Sequence, residues 1–196
     1  MRGDAYGSSL TSAYSQRTTA SIANLFAALY WMRADNTSVG LFGDRLLSPK
    51  LDRTKGVLEN YKVVAKTGGE VGSGTEQGIF DAFKILIKTK DIVDRIVIFS
   101  DCQVGDTCQW YDTVGNRADN FNKLLTQYMK INPDVKIYTI NLKGYSNEMT
   151  PQNAQIMKLT GWSDKIFDIM ERNEVAPGVM VAEVEKISLD NNVQKK

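Results

Sequence analysis

The sequence predicts an α/β fold: a Rossmann-like, mostly parallel sheet with helices on both faces. Three observations lead there. Arg95 to Ser100 holds the uninterrupted apolar run Ile96-Val97-Ile98-Phe99, which suits a strand covered on both faces rather than one. Helical patterns alternate with such strands along the chain. The 196 residues, 42% hydrophobic and 24% charged, suffice for one domain with a core of several strands and helices. Residues 1–17 read as a polar lead-in loop, 18–190 as the folded domain and 191–196 as a polar tail.

The elements follow in order. After Thr18 or Thr19, either one a suitable N-cap, Ile22, Leu25, Phe26, Leu29 and Met32 fall on one helix face. Ser38 to Phe42 and Leu46-Leu47, separated by Gly43-Asp44 and closed by Pro49, read as a hairpin whose second strand lies at an edge. A weaker helix is expected from Thr54 to Tyr61, followed by the glycine-rich loop 67–74. Ile79, Ala82, Phe83, Leu86 and Ile87 mark the next helix, with Thr75 at or near its N-cap and Glu76 in its first turn. Beyond the strand ending at Asp101, a helix through Phe121, Leu124, Leu125 and Tyr128 precedes a strand from Val135 to Leu142. Thr150-Pro151 is expected to open a short helix facing Ile156 and Leu159 inward, Lys165 to Met170 to form a last strand, and 178–188 a helix.

Composition excludes several functions. With 24 basic and 23 acidic residues, the net charge of +1 supplies no global field for nucleic acid or an anionic membrane. No apolar run approaches the roughly 20 residues of a membrane span, and the first residues lack the pattern of a secretory signal. A cytoplasmic location is the simplest expectation. Two cysteines, Cys102 and Cys108, do not make the disulfide framework of a small secreted domain, so free thiols are expected. The chain contains no histidine, which removes the commonest general base and zinc ligand.

Chemistry could reside in two places: Gly72-Ser73-Gly74-Thr75 ahead of a helix, and Phe99-Ser100-Asp101 at a strand end. Each alone also reads as ordinary structure, a threonine cap in one case and a loop carboxylate held by backbone N–H groups in the other. A phosphate loop is absent, since neither Gly-x-x-x-x-Gly-Lys-Ser/Thr nor Gly-x-Gly-x-x-Gly after a first strand occurs. The order is more informative: a hydroxyl in a loop before a helix, then a carboxylate closing the next buried strand.

That order resembles the metal-ion-dependent adhesion site of von Willebrand factor A domains, where Asp-x-Ser-x-Ser after the first strand, a Thr and an Asp jointly hold Mg²⁺. Hard oxygen ligands with retained waters suit that ion. By this resemblance Thr75 and Asp101 are the metal ligands, while Asp-x-Ser-x-Ser has no match; Asp4 to Ser9 has the residue types but not the spacing. Met1 and the polar loop after it resemble the stretch that follows the missing motif in the family. The implied fold therefore lacks its central first strand, and Mg²⁺ binding is expected to be weak or absent in this chain.

Among A domains, the chain is most similar to the C-terminal domain of Ro/TROVE ribonucleoproteins. The similarity runs through Ser73-Gly74-Thr75-Glu76, Arg95 to Asp101, Lys136 to Leu142 and Leu159-Thr160-Gly161-Trp162-Ser163. It implies a binding or scaffold module, not an enzyme, that engages an acidic group on a protein or ligand through the open position of the metal. Small non-coding RNA would be bound by a ring of helical repeats absent from this chain. A vacant central slot implies a dimer or a complementing N-terminal fragment. The competing readings are a Rossmann-like enzyme for a nucleotide or small molecule, using Asp101 as base or ligand, and one fragment of a split-gene assembly.

Other residues invite attention. Arg2-Gly3-Asp4 matches an integrin-recognition tripeptide but reads as chance. Cys102 reads as a small loop residue rather than a redox-sensitive thiol. Trp31 is expected in the core, while Trp110, in a polar loop, is the candidate partner-binding aromatic.

Overall fold

The computed structural model describes residues 17–73, 76–102, 117–144, 150–151, 153–175 and 185–186. The expected helix at 178–188 lies almost wholly outside them. The chain divides into two compact units, Met1–Gly161 and Trp162–Lys196.

The first unit begins with α1 (Thr19–Arg33). Thr18 is its N-cap: the side-chain oxygen accepts from the Ser21 N–H at 3.1 Å, satisfying a donor that the first turn leaves open. Apolar residues lie all round α1, as expected for a helix packed on more than one side. Ala28 enters a core with Leu41, Val64 and Val71, while Phe26 stacks on Phe99. Trp31 is half-buried rather than core, with the Arg53 guanidinium 4.8 Å from its ring centroid. At the far end Arg53 Nη2 donates to the Ala34 carbonyl at 2.7 Å.

β1 (Leu41–Phe42) and β2 (Leu46–Leu47) form the expected antiparallel hairpin, with Leu41 opposite Leu47 and Phe42 opposite Leu46. Its turn is fixed by Arg45, whose Nε and Nη2 both donate to the Glu70 carbonyl. Helix α2 (Val57–Gly68) starts three residues later and ends seven later than the sequence suggests. Asn60 explains the late start. Its amide ties down the Asp52–Gly56 loop, so the segment from Thr54 is committed to a turn.

Helix α3 (Gln77–Thr89) is capped by Glu76 without a side-chain cap bond. The expectation that Glu76 sits in the first turn is thereby corrected by one residue. The start is set by packing: Gly78 lies against the hairpin turn, with its N–H donating to the Gly43 carbonyl at 2.8 Å.

Three parallel strands complete the unit in the order β3-β4-β5: β3 (Arg95–Ser100), β4 (Lys136–Asn141) and β5 (Ile156–Thr160). Helix α4 (Arg117–Ile131) connects the first two. Arg95 pairs with Lys136 and Ser100 with Asn141, while Ile137 pairs with Ile156. Tyr128 Oη donates to the Asp91 carbonyl and Asn132 Nδ2 to that of Val93, both at 2.7 Å. The end of α4 thus holds the lead-in to β3.

The two faces of this sheet are covered differently. Ile96, Ile98, Ile137 and Ile156 join Phe80 and Phe83 of α3 and Phe121, Leu125 and Tyr128 of α4 in the main core. Phe99 points the other way, to α1. The unit is therefore a mixed α/β structure with helices on both sheet faces, compatible with a Rossmann-like fold.

Three expectations are corrected. Ile156 and Leu159 lie on β5, not on a helix: Asn153 closes a turn through its side chain onto the Gln155 N–H, and the next five residues pair with β4. Lys165 to Met170 is helical, within α5 (Lys165–Val175) of the second unit. Ser163 accepts from the Lys165 N–H and an ion pair joins Lys165 to Asp168 at 3.3 Å, an i, i+3 contact that helical spacing favours. Finally, β3 is not the fully buried strand its run suggests: only Ile98 is buried and its neighbours are half-buried. Among the described strands, β4 is the one paired with β3.

Candidate functional site

The backbone turns at Cys102, just after β3. Cys102 adopts a left-handed φ of 61°, rare for a residue with a Cβ, and its N–H donates to Ser100 Oγ at 3.0 Å. This turn sets Asp101 at the C-terminal end of the strand, the side on which open parallel sheets carry their ligands. Asp101 is half-buried.

A cavity of about 80 Å³ opens there, lined by Thr19, Ala20 and Ala23 of α1, Phe42 of β1, Phe99, Ser100 and Asp101, and Leu142. Room for a few waters is available. The first turn of α1 lies on it, so the positive end of the helix dipole borders the same space as Asp101. The lining is mostly apolar; its oxygen-bearing side chains are one carboxylate, Asp101, and two hydroxyls, Thr19 and Ser100.

Cys102 lies beneath this turn, 4% exposed and part of the main core. Burial, and then the neighbouring Asp101 charge, push its thiol up to about 11. The thiolate is the reactive form, so the residue is a free, protonated packing element and the redox-sensor reading loses its basis.

The next strand end is closed structurally. Asn141 Oδ1 accepts from the Lys143 and Gly144 N–H groups at 3.1 and 2.9 Å, and its carbonyl accepts from Gly161.

Of the residues singled out from the sequence, Asp101 stands at the cavity, while Thr75 and Trp110 lie outside the described residues. No group of three or more His, Cys, Asp or Glu side chains that could hold a metal gathers among the described residues. Thr19 was missed as a site residue. The sequence offers Thr18 or Thr19 as a cap; Thr18 takes that role, and buried Thr19 lines the cavity. Phe42 and Leu142 join it from distant segments with no sequence signal of their own. No described helix is long and apolar enough to cross a membrane. Comparison with family models and with curated proteins found no match to this chain.

Proposed function

We propose that the chain is a von Willebrand factor A-type binding module, similar to the C-terminal domain of Ro/TROVE proteins, in which Asp101 contributes to a weak Mg²⁺ site. The observation that carries the reading is the place of Asp101: directly after a parallel strand, on a cavity bordered by a helix N-terminus. A donor set of one carboxylate and hydroxyl-bearing residues fits a hard cation that keeps most of its water. Thr75 is the second ligand on this reading, brought by the loop before α3. When bound, the ion would supply an open coordination position for an acidic group of a partner. Ser100 supports the arrangement by accepting the Cys102 N–H, which holds the turn that carries Asp101.

Calorimetric Mg²⁺ titration of the chain, of Asp101→Ala and of Thr75→Ala tests the reading. Weak binding by the parent and loss in both variants is expected. Equal affinity in all three refutes the site.

A further inference from the structure

We infer that the outer face of α2 is a docking surface for a helical segment of a partner protein that presents one apolar residue and two carboxylates in a single i, i+4, i+8 row. The inference is independent of any cation at Asp101. Helix α2 is tied to the C-terminal end of α1, where Asn60 Nδ2 donates to Met32 Sδ at 3.5 Å. The cavity lies on Thr19, Ala20 and Ala23, about 13 Å or more back along the α1 axis.

The helix divides into two rows. Asn60, Val64 and Gly68, at i, i+4 and i+8, are buried, with Val64 in the core beside Ala28, Leu41 and Val71. At 3.6 residues per turn, positions displaced by two residues fall on the far side, so Leu58, Lys62 and Lys66 form a second row opposite the first. All three are exposed, Leu58 by 70%. Among the described residues neither the Lys62 nor the Lys66 ammonium makes a hydrogen bond or an ion pair. Lys84 of α3 and Lys165 of α5, by contrast, each have a carboxylate on their own helix, Asp81 at 3.8 Å and Asp168 at 3.3 Å.

Chemistry of the occupant follows from the row. Two uncompensated ammonium groups call for carboxylates, and Leu58 at the end of the row calls for an apolar contact. Steps of four residues rise about 6 Å along any α-helix, so a partner helix with side chains in the same repeat meets all three positions at once. Glu59, exposed beside Leu58, repels a uniformly anionic strand or bilayer, whereas a protein can set a neutral or basic residue opposite it. The row holds no aromatic ring on which a base could stack. A protein segment is therefore the occupant that the charge pattern fits.

The test uses the full chain, with chelator present to silence the cation site, and labelled helical peptides carrying leucine, glutamate and glutamate at i, i+4 and i+8, in both chain directions. Fluorescence anisotropy should show saturable binding of at least one, weakened by salt. A peptide of the same composition with the row scrambled should bind about tenfold or more weakly. Leu58→Ala should weaken binding about fivefold, and Lys62→Glu combined with Lys66→Glu about tenfold or more. Replacing the two peptide glutamates by lysines should restore binding to that double variant, which a mere loss of structure would not do. Circular dichroism checks that the variants, all at exposed positions, are folded. No binding of either peptide to the parent, equal binding of the scrambled peptide, unchanged binding by the double variant or failure of the charge exchange overturns the inference. Tighter binding of anionic vesicles or of a single-stranded oligonucleotide than of the peptides, lost in the double variant, would also overturn it, by making a membrane or a nucleic acid the occupant.

Discussion

Phe26 of α1 lies stacked on Phe99 of β3, ring centroids 5.4 Å apart and planes inclined by 23°. The pair is an apolar contact between the first helix and the parallel sheet. Phe26→Ala should cost about 3 kcal/mol and open the cavity end of β3. Denaturant unfolding monitored by circular dichroism measures the loss; a cost below about 1 kcal/mol, too small for a removed core ring, would show that α1 is held by other contacts.

Asn60, 1% exposed, accepts the Asp52 N–H at 2.9 Å and donates to the Asp52 carbonyl at 2.9 Å and that of Gly56 at 3.3 Å. Its removal deletes these bonds together: the half-buried Asp52 N–H loses this partner, while the Asp52 and Gly56 carbonyls keep the backbone donors Lys55, Glu59 and Asn60. Asn60→Ala should destabilise the first unit by about 2–3 kcal/mol, and Asn60→Leu should not restore it. An apolar replacement that recovers the parent stability would show that the amide acts by volume alone.

Gly78 is held where a side chain does not fit. A Cβ there would lie 2.5 Å from the Arg45 carbonyl oxygen and 2.9 Å from Phe42 Cβ. Gly78→Ala must push α3 off the hairpin, at a cost of about 1–3 kcal/mol. Because the loop with Thr75 leads into this helix, the variant should also weaken any Mg²⁺ binding. Parent-like melting of Gly78→Ala would contradict the close approach.

What the sequence made legible was local. A cap at Thr18 or Thr19, which the structure resolves to Thr18, the Gly43-Asp44 hairpin turn and the β3-to-Asp101 strand end are all written in neighbouring residues. The segments 156–160 and 165–170 were exchanged because short apolar runs fit either period. Ile156 and Leu159 are spaced for a helix but are claimed by the open edge of β4, a tertiary effect. Ile166 and Met170 sit one helical turn apart inside a run that looked continuous. The cavity was legible only at Asp101, since Thr19, Phe42 and Leu142 reach it from three separate segments.

The last prediction concerns pH and Cys102. Burial, then the Asp101 charge, raise its thiol from 9.0 to about 11 in the folded chain. The folded state therefore holds this proton more tightly than the unfolded state does. The resulting stability is complete below 9.0 and is lost as pH climbs from there through about 11. Lysines and tyrosines titrate in the same range, so the comparison must be with Cys102→Ala, which lacks the thiol but shares the rest. The parent should lose stability relative to that variant across the alkaline window, in denaturant melts taken at successive pH values. In parallel, alkylation of Cys102, followed by mass spectrometry of its peptide, should be slow in the folded chain near neutral pH and fast in denaturant. A constant stability difference at all pH values, with rapid alkylation of the folded chain, would mean that the thiol is open to solvent and that the turn after β3 does not bury it.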